Sequence, residues 1–184
     1  KFSTTMKKSF LLLVLFLSSV SAWAQFQSAS LTASGLTCSM CSKSIYKALE
    51  KIHSVQSIEV DLDRSVFNIR FKDGNNIQPD ELKNAVVDAG FAVASLQMTA
   101  LFPETKISKD AHISFFGSSY HFLNGLDSSI SGKIVLTIVD KNYVTTAAFR
   151  QYRKMTKMNC IETGKAESCC TTKNISVGSR VYHV

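Results

Sequence analysis

The stretch SGLTCSMCSKSIYKAL, residues 34–49, decides the reading of the chain. Alternating FQSASLTA precedes it, with Ala29, Leu31 and Ala33 on one side, the period of a strand. Gly35 breaks that alternation. From Cys41 onward Ile45, Leu49 and Ile52 recur at the spacing of a buried helical stripe. Cys38 and Cys41 therefore sit between a strand and the first turn of a helix. Unpaired N–H groups and the dipole at a helix start stabilise thiolates, so both thiols should ionise more readily than an ordinary cysteine. Such a pair can hold a soft metal ion, cycle as a disulfide or pin a turn. Two ligands are too few for a closed structural zinc site. Soft thiolates instead suit Cu(I), and also take mercury or zinc.

Working outward, the pattern changes element every few residues. VQSIEVDL reads as a strand, Asp63-Arg64 as a turn, and VFNIRF as a strand with Phe67, Ile69 and Phe71 on one face. DGNN turns again. Pro79, Asp80 and Glu81 suit the first turn of a second helix, whose buried stripe is Leu82, Ala85, Val86 and Ala89. Gly90 closes it and FAVASLQ forms a last strand. The order β-α-β-β-α-β is the split βαβ, or ferredoxin-like, unit. The expected fold class is α+β: this unit over residues 25–97, followed by a smaller β-rich C-terminal domain.

Residues 6–24 carry a basic start, an apolar run and Ala22-Trp23-Ala24, the pattern of a secretory signal peptide cleaved before Gln25. KFSTT ahead of Met6 is set aside as upstream read-through or a mis-called start. The apolar run is short for a bilayer span, so no stable membrane anchor is expected after cleavage. Loss of Lys1, Lys7 and Lys8 lowers the formal net charge from +7 to +4, too mild to imply nucleic acid. Residues 98–110, with Pro103 and several charges, read as a linker. In residues 111–184, AHISFF, SYHFL and KIVLTIVD read as strands and TTAAFRQYRKMTKM as a helix, ahead of a cysteine-containing tail.

Gly35-Leu36-Thr37-Cys38-Ser39-Met40-Cys41 within a β-α-β-β-α-β chain resembles the heavy-metal-associated domain family. That family includes copper chaperones, modules of copper-transporting P-type ATPases and periplasmic mercury carriers. The resemblance covers less than half of the chain. It implies that Cys38 and Cys41 are the metal ligands and that Phe91, after Gly90, lies beside the metal loop. Leu36 stands where the family usually has methionine, a change of similar volume. Zinc-handling members often place an acid before the first cysteine. Neutral Thr37 favours Cu(I), with Hg(II) or Zn(II) as further candidates. Met40 is expected as an exposed loop residue rather than a thioether ligand.

The expected function is that of an exported, periplasmic soft-metal-binding protein that transfers Cu(I) to a metal-transport or efflux protein. A mercury or general heavy-metal scavenger and a thiol–disulfide redox protein are the alternatives. No nucleophile–base pair, carboxylate pair or phosphate loop stands out, so no enzyme is expected. Five cysteines in an oxidising compartment leave at least one outside an intramolecular bridge. Cys160, Cys169 and Cys170 are read as a disulfide from Cys160 to one of the adjacent pair, or as a second soft-metal site with nearby Met155 and Met158. His53, His112, His121 and His183 show no ligand spacing and are expected to be ordinary surface or strand residues.

Overall fold

The computed structural model describes residues 25–36, 39–125, 127–168, 170 and 175–184. The expected signal peptide, Thr37, Cys38 and Cys169 lie outside the described residues. The first half has the expected element order. Strand β1 (Phe26–Ser34) leads to helix α1 (Ser39–Glu50), strands β2 (Val55–Asp61) and β3 (Val66–Phe71), helix α2 (Pro79–Asp88) and strand β4, which begins at Ala92. The strand order is β2-β3-β1-β4, with antiparallel neighbours. Each sequence stripe goes where its period sends it. Leu31, Phe67 and Ile69 from the sheet, Ile45 and Leu49 from α1, and Leu82 and Val86 from α2 are fully buried in one core. Pro79 opens α2 where its missing N–H costs nothing, and the Glu81 carboxylate accepts the Gln78 N–H at 2.9 Å.

The expected linker over 98–110 is a correction. Strand β4 runs on through Ile107, 16 residues in all. Pro103 does not end it, because the ladder shifts register between Phe102 and Thr105, the one place where a residue without an N–H is tolerated. Beyond the bulge, β4 continues to pair with β7 (Ser128–Ile138), which adds a fifth strand to the sheet. The C-terminal half is β-rich, as expected, but it is not a separate domain. Leu136, Ile138, Tyr120, Tyr143 and Tyr182 belong to the same buried core as Phe26 and Leu31.

A second sheet, ordered β5-β6-β8, is built from Ala111–Phe115, Ser118–Phe122 and Val181–His183. Phe116 and Gly117 join β5 to β6 with φ of 51° and 76°, the left-handed pair that a two-residue hairpin turn requires. Gln78, at the start of α2, clamps that turn. Its amide donates to the Phe116 carbonyl at 2.6 Å, and its oxygen accepts from the Ser118 hydroxyl at 2.7 Å. Tyr120 and Tyr182 stack at 5.4 Å on the face turned toward the common core. The tail supplies helices α3 (Thr146–Tyr152, capped by the Thr145 hydroxyl) and α4 (Cys160–Thr163). Parallel strand β8, a product of long-range pairing, carried no periodic signal. Among the described residues no helix is long and apolar enough to cross a membrane.

Candidate metal centres

The first centre grows from the β1–α1 junction. Ser34 pairs with Ala92, so Gly35 leaves the sheet beside Phe91, which enters it. Gly35 takes φ 84° and Gly90 φ 89°, left-handed values at the two chain ends that meet there. Leu36 and Phe91 are both partly buried against the core. Helix α1 begins at Ser39, two residues earlier than the apolar stripe implied, which puts Cys41 in its first turn. Cys41 is half-buried, whereas Met40 is 65% exposed, as expected, although it lies in the first turn of the helix rather than in a loop. A thiol in that turn lies at the positive end of the dipole of a 12-residue helix, a setting that favours thiolate.

The second centre lies in the C-terminal half, and its histidines were missed. His112 faces His121 across the β5–β6 hairpin, and His121 faces His183 across the parallel β6–β8 pair. Three imidazoles therefore share one rung of one sheet face. The His112 and His121 rings stack at 4.2 Å, and those of His121 and His183 meet edge-on at 5.0 Å. Cys160, at the start of α4, points its sulfur into them. It lies 3.4 Å from His183 Nε2, 3.6 Å from His121 Nδ1 and 3.9 Å from His112 Nε2. Cys170 Sγ joins His112 and Cys160 with all three donor atoms within 4.8 Å. Cys160, Cys170, His121 and His183 are buried, and His112 is partly so.

The far nitrogen of each imidazole is held in turn. His183 Nδ1 meets the Asp140 carboxylate at 2.6 Å, His121 Nε2 meets the Asp110 carboxylate at 3.0 Å, and His112 Nδ1 meets the Asp110 carbonyl at 3.2 Å. Burial above all, then the neighbouring His112 and His183, lowers the His121 pKa to about 4 against the opposing pull of Asp110. His121 is a neutral base at ordinary pH. No disulfide joins Cys160 to Cys170. The expectation that His112, His121 and His183 are ordinary strand residues is corrected: the strand pairing collects them around one sulfur.

A polar chain ties this centre to the first half. Asp140 also lies 3.6 Å from the Arg180 guanidinium, and Arg180 donates to Asp80 of α2 at 2.8 Å. Tyr143 and Lys83 donate to the same Asp80 carboxylate at 2.5 and 2.9 Å. Burial by itself would raise the Asp80 pKa, but these three donors hold it well below the usual carboxylate range. Arg180 lies over the Tyr182 ring, 4.0 Å from its centroid.

A family model for the heavy-metal-associated domain matches residues 30–92. The mercuric transport protein periplasmic component of Shigella flexneri is 31% identical over 86 residues, which span 47% of this chain and 93% of that protein. The chain belongs to the heavy-metal-associated domain family. The copper chaperone CopZ of Staphylococcus haemolyticus is 34% identical over 59 residues, 32% of this chain and 85% of the chaperone. Among solved structures, oxidised MerP from Ralstonia metallidurans CH34 matches with 27% identity and a TM-score of 0.35, covering 38% of this chain and 96% of that one. The match to the heavy-metal-associated domain ends at Ala92, where β4 begins, so it leaves the second centre entirely to the remainder of the chain.

Proposed function

We propose that this protein is exported to the periplasm and carries one Cu(I) ion as cargo, held between the thiolates of Cys38 and Cys41 and passed to a metal transporter. The observation that carries the reading is the position of Cys41. It sits half-exposed in the first turn of α1, the helix that follows the left-handed Gly35 in the chain. With Cys38 three residues before it in the sequence, the chain offers two soft donors around a helix start, a setting that favours their charged form. A two-coordinate ion leaves room for an incoming thiolate. Transfer then proceeds by ligand exchange: one protein–sulfur bond to the ion forms as another breaks, with no change in oxidation state. Thr37 puts no acid before the first cysteine, which favours Cu(I) over Zn(II).

Hg(II) is the second reading, supported by relatives named as mercuric transport periplasmic components. Both ions are soft and both accept two thiolates, so the donor set admits either. The reduced chain, titrated anaerobically with Cu(I) against a competing chelator and in parallel with Hg(II), tests the proposal. A tightly held Cu(I) that is lost in the Cys38→Ser/Cys41→Ser variant is expected. Binding of Hg(II) with only weak Cu(I) uptake would move the cargo to mercury. Rapid reversible disulfide cycling with no tight uptake of either ion would replace the carrier by a redox protein.

A further inference from the structure

We propose that the C-terminal half holds a transition-metal ion of its own, zinc or copper, ligated by Cys160, His121 and His183, with His112 or Cys170 completing the shell. This site is independent of the Cys38–Cys41 loop. It is built from residues outside the matched domain.

Proton counting carries the argument. Asp140 and Asp110 offer carboxylates, and the Asp110 carbonyl offers a third acceptor, to His183 Nδ1, His121 Nε2 and His112 Nδ1. A carboxylate or carbonyl only accepts, so each of those nitrogens carries the ring proton. The other nitrogen of each ring is then a bare lone pair, and all three lone pairs point at Cys160 Sγ. The Cys160 thiol has one proton and can satisfy only one of the two fully buried rings, His121 and His183. At least one fully buried acceptor is left facing a sulfur that is itself electron-rich, an arrangement that costs free energy unless a cation sits among them. A metal ion resolves it, because it accepts every lone pair at once and releases the thiol proton to solvent.

Distances agree with that reading. An ion with metal–sulfur and metal–nitrogen bonds of about 2.3 and 2.05 Å in tetrahedral geometry places sulfur and nitrogen about 3.6 Å apart. The three separations are 3.4, 3.6 and 3.9 Å. Each ligating ring also has the outer partner that metal-bound histidines characteristically have, a carboxylate or carbonyl on its second nitrogen. Mixed imidazole–thiolate donors select zinc and copper over hard ions such as magnesium or calcium. The alternative use of a cysteine beside histidines, as a nucleophile, needs access for a substrate. Cys160, His121 and His183 have a relative exposure of 0%. The site is closed, which suits an ion retained for structure or storage rather than one in transit.

The test uses the full chain carrying Cys38→Ser and Cys41→Ser, so that the loop contributes no dithiolate. The reduced, metal-stripped protein is loaded in separate arms with Zn(II), Co(II) as a spectroscopic stand-in, and Cu(I), then freed of excess ion. The expected result is one ion retained per chain in the Zn(II) or Cu(I) arm. In the Co(II) arm, thiolate charge-transfer absorption and tetrahedral ligand-field bands should appear. Loading should raise Tm by about 10 °C. Adding Cys160→Ser should abolish the charge-transfer band and the retained ion. A loop variant that is folded by circular dichroism yet retains no ion and shows no Tm shift overturns the proposal. An unchanged band after Cys160→Ser overturns it too. Should the Cys160→Ser protein fail to fold, the loop variant by itself still decides between one ion and none.

Discussion

The chain places cysteine sulfur in two settings that differ in nearly everything governing metal exchange. Cys41 stands half-exposed at the first turn of α1, with a two-cysteine motif and no histidine in it. Cys160 is sealed from solvent among three imidazoles whose outer nitrogens are already held. Low coordination and exposure lower the barrier to ligand exchange, whereas burial with a filled outer shell raises it. The comparison teaches that sulfur alone does not set the role of a metal-binding cysteine. The number of donors that converge on it, and their access to a partner, do.

The largest way to sharpen this contrast is at Asp140. Asn at that position can still accept from His183 but loses the charge that makes the imidazole a stronger ligand. Asp140→Asn should weaken ion retention at the Cys160 centre by about 10- to 100-fold. Loop affinity should stay unchanged. Competition with a graded chelator series reads both, and an equal loss at the two centres would break the distinction between them.

Next comes the link between the halves. Asp80→Asn removes the charge that Arg180, Lys83 and Tyr143 all address, and should lower stability by about 2 kcal/mol. The sign of its pH dependence follows from the depressed pKa. The folded value lies below the unfolded one, so the stabilisation is complete above the ordinary carboxylate range and is lost as pH falls through that range toward the folded value. Urea titrations should therefore show the full difference between variant and parent near neutrality, and a shrinking one in acid. A difference that grew in acid would remove Asp80 from this role. The smallest effect is expected at Leu36, where Leu36→Met conserves volume at a partly buried position. It should change stability by less than about 1.5 kcal/mol and leave Cu(I) affinity within a few-fold, by the same titrations.

Legibility in the sequence follows the range of the interactions. Strands β1 and β3 and helix α2 were readable to within a residue or two, because alternation and the 3.6-residue stripe are local signals. Pro103 misled, since a proline ends an isolated periodic pattern but is accommodated at a bulge once β7 pairs alongside β4. The histidines were half-readable. Fixing the hairpin turn at Phe116-Gly117 places His112 opposite His121, yet the turn lay hidden in a run read only as strand, GSS and strand.

By itself, then, the sequence determined the β-α-β-β-α-β order and the paired cysteines at the mouth of a helix, and carried a resemblance to a metal-handling family. The order and the cysteine pair rest on spacings of a few residues that any reader of the chain can count. Only the tertiary structure decided that β4 runs unbroken into the C-terminal half, that both halves share one core, and that His183 arrives beside His121. Parallel pairing and cross-sheet convergence depend on which distant surfaces bury each other, and that choice is made by the whole core rather than by any segment of it.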